Sequence, residues 1–282
     1  MAAQAASPAI LRHRLGRDLR AFREARSLRL EDVAAHLGVA ISTLSRIETG
    51  KAPTRTAYLY QMLDLFGVID PEQVSALADL AHEGQRQGWH ADYDDLLSTG
   101  AGHYLGLENA AALVRSWSVL GVPGLLQTAD YAAAVIAATR PDLTADQTYR
   151  LGAIQLRRQE QARSTGRRLH AVIDEAALLR PVAPANVMAD QMRHLATVAA
   201  DPLVTVQVAT LTVPLPVLTL PFTVLSFDND PNVACCPGIG DRVLVTSHGE
   251  QVRTLHATFS ALTIGALSAT DSADLIRQLS TS

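Results

Sequence analysis

Lysine is nearly missing from this sequence: Lys51 stands alone beside 23 arginines. With the abundant alanine, that imbalance reads as the codon bias of a GC-rich genome, so no single arginine is a sign of chemistry by itself. Cysteine is scarce too, and the only two, Cys235 and Cys236, are adjacent. Sequence neighbours rarely reach disulfide geometry, and two thiols do not complete a metal set. They are expected as reduced residues of a core or strand. No apolar run of about 18 residues occurs, which excludes a membrane-crossing helix. The start, "MAAQAASPAILRHRLGRD", holds no apolar stretch of secretory-signal length, so the expectation is a cytoplasmic protein.

Catalytic signatures are missing as well. There is no G-x-S-x-G, H-E-x-x-H, P-loop or G-x-G-x-x-G pattern, and a protein without enzymatic activity is expected. His90 with Asp92, Asp94 and Asp95 forms a polar cluster of the kind a linker yields by composition, and no second cluster at metal spacing completes it. His248 and His256 stand eight residues apart, about two helical turns, which is too far to share a metal. Neither metal nor cofactor is expected.

What is present begins with length and charge. A chain of 282 residues, 48% apolar, suggests about two domains. The net charge of −4 is unevenly spread: residues 1–60 hold ten basic side chains against five acidic, while residues 61–110 hold one against nine. A basic head favours a polyanion such as double-stranded DNA, because arginine and lysine along phosphates release condensed counterions. The acidic segment repels the same partner and limits how much of the chain lies on it.

Periodicity predicts five helices in the head. Leu11, Leu15, Leu19 and Phe22 mark the first over 10–27, "LEDVAAHL" the second over 30–37, and Leu44 with Ile47 the third over 41–49. Two more follow at about 55–66 and 71–83, the last opened by Asp70 as cap and Pro71. From 83 to 102 the pattern fades into a Gly- and Asp-rich connector, with Trp89 and Tyr93 suggesting that it is packed. Beyond it, helices are predicted at 106–119, 128–139, 144–163, 185–200, 249–267 and 271–280. Strands are predicted at 168–174, 203–209, 221–227, 232–236 and 242–246. The expected class is α+β: an all-α five-helix domain over 10–83, an acidic packed linker over 84–105, and a mixed α/β domain over 106–282 whose small sheet is covered by helices.

"AAHLGVAISTLSRIETGK" has the parts of a helix-turn-helix: Ala34 where two helices cross, Gly38 for the turn, Val39 as apolar plug, and Leu44 with Ile47 holding the second helix to the first. Ile41, Ser42, Thr43, Ser45 and Arg46 are left at the outward N-terminal half. Arginine suits guanine, Ser42 and Thr43 suit a base edge or phosphate, and Ile41 is either a thymine-methyl reader or part of the plug. Lys51 and Arg55 are placed for phosphate. Over about residues 12–80 the segment resembles the helix-turn-helix of phage-repressor-like and xenobiotic-response-element-type regulators. That resemblance implies a structural ion pair between Arg23 and Glu48. Two residues depart from it: Ala40 stands where a Ser or Thr cap is usual, at a cost of about 1 kcal/mol, and Leu30 stands where a Thr or Gln often meets phosphate.

In the larger domain "GVPGLLQTADYAAAVIAA" reads as a turn forced by Pro123-Gly124, with Leu125 and Leu126 buried and Thr128 or Asp130 capping a helix that carries Tyr131. Leu178 and Leu179 also read as core, while Arg157, Arg158 and Glu175 suit internal ion pairs as well as partner contacts. With "RRQEQ", "VIDEAALLRPV", "VMADQMRHL", "VTVQV", "PFTVLSF" and "ALSATDSADLI", in that order, the segment is similar over about 108–280 to the antitoxin-like regulatory domain that follows a helix-turn-helix in many actinomycete regulators. The departures are "APANVM" in place of a Gly-Gly and Gln155 in place of an arginine. The resemblance implies a transcriptional regulator without catalytic residues, modulated by a small protein partner encoded nearby. The expected protein is a homodimer that reads a pseudo-palindromic site. The alternative is an antitoxin-like protein whose main role is to bind that partner, with DNA binding for autoregulation.

Overall fold

The computed structural model describes residues 7–217, 219–238 and 242–280. Residues 1–6, the first of the stretch "MAAQAASPAILRHRLGRD", lie outside the described residues. The chain divides into two compact units, one of residues 1–92 with 105–110, the other of residues 93–104 with 111–282.

The first unit is helical: α1 (Pro8–Ala25), α2 (Leu30–Leu37), α3 (Ile41–Glu48), α4 (Thr56–Phe66) and α5 (Pro71–Gly84). Leu15 and Leu19 of α1, Val33 and Ala34 of α2, Leu44 and Ile47 of α3, and Met62, Leu63 and Phe66 of α4 meet in one core. Three of these helices end alike, on a left-handed glycine at Gly38, Gly50 or Gly67, with the next amide bonded five residues back. The same closure ends α1, but there Ser27 takes the positive φ of 56°. Asp70 stands at the cap position of α5, yet its side chain makes no capping bond, so Pro71 alone marks that start.

Backbone meets backbone between α1 and the end of α3. A Cβ at Gly16 would lie 2.5 Å from the Ile47 carbonyl oxygen and 2.6 Å from that of Glu48, and one at Gly50 would lie 2.7 Å from the His13 Cα. Two glycines on facing segments thus let backbone touch backbone and fix α3 against α1.

The second unit is built on a six-stranded mixed sheet in the order β3-β2-β1-β4-β5-β6. Its strands are β1 (Leu113–Ser118), β2 (Arg168–Asp174), β3 (Val204–Ala209), β4 (Phe222–Ser226), β5 (Val233–Pro237) and β6 (Val243–Thr246). β1 runs parallel to β2, and β2 to β3, while β4, β5 and β6 pair antiparallel. The helices are α6 (Ala101–Ala110), whose last turns belong to the first unit, α7 (Ala129–Thr139), α8 (Ala145–Ser164), α9 (Glu175–Leu179), α10 (Ala185–Val198), α11 (Gly249–Gly265) and α12 (Ala269–Leu279). Trp117, Val172, Phe222 and Val224 pack one sheet face onto Val252, Phe259 and Leu262 of α11. Each edge strand is tied to a neighbouring segment: β3 exchanges bonds at Val208 with Ser272 and Leu267, and β6 donates from the Val243 amide to the Thr99 carbonyl.

The helix predicted over 106–119 is corrected. α6 ends at Ala110, and residues 113–118 form β1, with neighbours on both sides. The buried residues of "LVRSWS" are Val114 and Trp117, three apart, which imitates a helical stripe. In a strand they face opposite sides, and because both faces of a central strand are covered, period-two alternation is lost. The short α9, opened by the Asp174 side chain on the Ala176 amide, was not expected either.

The "VPGLLQT" turn is held by amides from distant helices. Gln191 of α10, fully buried, accepts from the Thr128 N–H at 2.7 Å and donates to the Leu126 carbonyl at 2.8 Å. Gln159 of α8 donates to the Gly124 and Gln127 carbonyls, and Gln127 donates to that of Val122. Of the two candidate caps, Thr128 takes the role, accepting from the Tyr131 amide. Leu126, Tyr131 and Leu178 are buried and Leu125 half-buried, but Leu179, the last residue of a five-residue helix, is 49% exposed and is not core.

Candidate nucleic-acid interface

α3 is an eight-residue helix with three buried side chains, Leu44, Ile47 and Glu48. At about 100° per residue, Ser42 and Arg46 point within about 40° of each other and away from that buried arc, with Ser45 and Thr49 beside them. Ser42 and Arg46 are exposed, while Thr43 and Ser45 are half-buried on the flanks. Ile41 is 47% exposed, so it sits at the rim and not in the plug. Thr49, not among the contacts expected from sequence, lies on the same outward face, its hydroxyl donating back to the Ser45 carbonyl at 2.7 Å. Its spacing of seven from Ser42 was the available signal.

The two helix starts of the motif differ electrostatically. α2 opens with Glu31 and Asp32, and Asp32 accepts from the Arg29 amide at 3.0 Å, so this N-terminus already carries its own anion. α3 opens at Ala40 in extended backbone, with no side-chain cap and no acidic residue in its first turn. The amides of Ile41 and Ser42 and the positive end of the helix dipole are left to solvent or an external anion. Leu30, at the first position of α2, is half-buried against the core and has no polar atom to offer phosphate.

Ion pairing sorts the basic residues of the head. Arg17, Arg20, Arg23 and Arg29 are paired with Asp18, Glu24, Glu48 and Asp32, and Arg26 donates to the Phe66 carbonyl. Arg46, Lys51 and Arg55 make no ion pair among the described residues and are exposed. Arg55 lies 5.7 Å over the Tyr58 ring, which orients it without neutralising it. The glycine-closed end of α3 places Lys51, whose amide bonds the Arg46 carbonyl at 2.8 Å.

Beneath this face Arg23 and Glu48 form a buried two-pronged pair, with Nε to Oε1 at 2.6 Å and NH2 to Oε2 at 2.8 Å, while NH1 donates to the Leu28 carbonyl. The hydrogen bond to Glu48 raises the Arg23 pKa above its ordinary value. A carboxylate at the negative end of a helix is unfavourable by itself, so Arg23 compensates both the dipole and the burial.

Elsewhere, Asp95 of the connector cluster is bound to Arg150 through both its oxygens at 2.8 and 2.9 Å. Among the described residues no group of three His, Cys, Asp or Glu side chains converges as a metal site, and no helix is long and apolar enough to cross a membrane. Cys235 and Cys236 are not disulfide-bonded, and burial pushes the Cys236 thiol up. Arg158 donates to Gln155 and Tyr104, and Glu175 accepts from the Leu211 amide.

Comparison with known families divides the chain similarly. Residues 14–77 match a model described as a helix-turn-helix domain, and residues 101–278 match one described as a domain of unknown function (DUF5753). No curated protein and no solved structure matches.

Proposed function

The chain belongs to the family of that domain of unknown function, joined here to a helix-turn-helix domain, and from this premise we propose a dimeric, sequence-specific transcriptional regulator. The helix-turn-helix domain supports DNA binding. Ser42 and Arg46, with Thr43 and Ser45 on the flanks and Ile41 at the rim, read base edges in the major groove. Lys51 and Arg55 hold phosphate, and the uncapped start of α3 receives one more. The observation that carries this reading is the coincidence of an acid-free start to α3 with three exposed cations, Arg46 on that helix and Lys51 and Arg55 beyond its end, that make no ion pair among the described residues.

The C-terminal domain pairs two copies and takes its signal from a small protein partner in the cytoplasm. This part is supported by the resemblance of "VPGLLQT" and "DEAALLR" to antitoxin-like regulatory domains. Selection from random duplexes by the full chain tests the proposal: it enriches one motif, in two inverted half-sites about 34 Å apart centre to centre. Enrichment of no motif contradicts sequence-specific reading, and enrichment of a lone half-site contradicts the dimer.

A further inference from the structure

One face of the C-terminal sheet is interrupted by small polar residues. Ser116 of β1 is paired with Thr223 of β4, and Thr223 with Cys235 of β5, so these three form one row across adjacent strands. The next row on the same face, Val114, Leu225 and Val233, is wholly apolar and at most 2% exposed. Where the small row runs, a cavity of about 850 Å³ opens over the sheet, within the range of about 300–1,000 Å³ that suits small organic ligands. The Ser116 and Thr223 hydroxyls, both half-buried, make no hydrogen bond among the described residues. Pro221, Pro237 and Val243 add apolar carbon to its lining.

Charge narrows the class of occupant. Arg140 and Asp142, on the wall after α7, are bonded at 3.1 and 3.2 Å and neutralise each other. Arg242 also lines the cavity, is exposed, and forms no ion pair among the described residues. The described lining therefore carries one uncompensated positive charge. A single arginine in the described lining suits a monoanion rather than a polyphosphate.

We infer that this cavity binds a small amphipathic organic carboxylate. The carboxylate meets Arg242, a polar group of the body meets Ser116 and Thr223, and the apolar remainder lies on Pro221, Pro237 and Val243. The site is independent of DNA reading, and its test contains no DNA.

The full chain is titrated with 3-phenylpropionate, indole-3-acetate and decanoate, each beside its primary amide, by saturation-transfer NMR. At least one acid binds, with a Kd on the order of 1 mM for probes of this size, and more tightly than its amide. Arg242→Gln, an exposed substitution, weakens the acid by about tenfold, the worth of one charge-assisted bond, and leaves the amide unchanged. Ser116→Leu fills the floor and abolishes both. Failure of all three acids, amides that bind as well as acids, or acid binding undiminished in Arg242→Gln would overturn the inference.

Discussion

Glu48 and Gln191 each pin the defining segment of their own unit, by different chemistry. Glu48, 7% exposed at the end of α3, accepts two bonds from the Arg23 guanidinium, whereas Gln191, fully buried in α10, accepts from one backbone amide and donates to one carbonyl. The difference follows from what each segment lacks. The end of α3 is held through backbone contact with α1 and an ion pair beneath, which leaves the outer face of the helix to Ser42 and Arg46, the latter without an ion pair among the described residues. The "VPGLLQT" turn offers a backbone N–H and a C=O outward, and the neutral amide of Gln191, which has both an acceptor and a donor, satisfies one of each.

Breaking the ion pair has the largest expected effect. Glu48→Ala leaves Arg23 charged and buried, and chemical denaturation should show a loss of about 3–5 kcal/mol. Gln191→Leu, similar in size, strands a neutral donor and acceptor, and the same measurement should show about 1–3 kcal/mol. If Gln191→Leu costs as much as Glu48→Ala, charge is not what distinguishes the two anchors. In the other direction, Ser27→Gly relieves a left-handed non-glycine residue and should stabilise by about 0.5–1 kcal/mol.

The smallest effect is one of pH, and it sharpens the comparison from the C-terminal side. His170, bonded to Gln207 at 2.8 Å, and His194 both have pKa values lowered, first by burial. The folded state therefore binds a proton less readily than the unfolded state. The stability they contribute is complete above the ordinary imidazole value of about 6.5 and declines as pH falls below it. Melting between pH 7.5 and 5.5 should show this decline, reduced in His170→Gln; a melting temperature that rises on acidification would contradict it.

Local signals made the helical head legible. Glycine ends and the spacing of Leu44 and Ile47 mark α2 and α3, because those signals lie within one turn of the residues they govern. β1 was not legible, since Val114 and Trp117 imitate a helix once both sheet faces are covered. The α+β class and the five other strands stand as read. At the candidate interface, residue type suggested Arg46 and Lys51, but their lack of an ion pair depends on where Asp18, Glu24, Asp32 and Glu48 fall in space. The row Ser116, Thr223 and Cys235 is invisible in sequence for the same reason: strand register, spanning more than 100 residues, assembles it.

Base reading by the exposed face of α3 is tested most directly at Arg46. Wild type and Arg46→Ala are compared on the selected duplex and on a scrambled duplex at the same salt concentration. The expected loss on the selected site is about 1–3 kcal/mol, roughly fivefold to 150-fold, with little change on the scrambled one. Equal losses on both duplexes, or none on either, would contradict base reading by this helix.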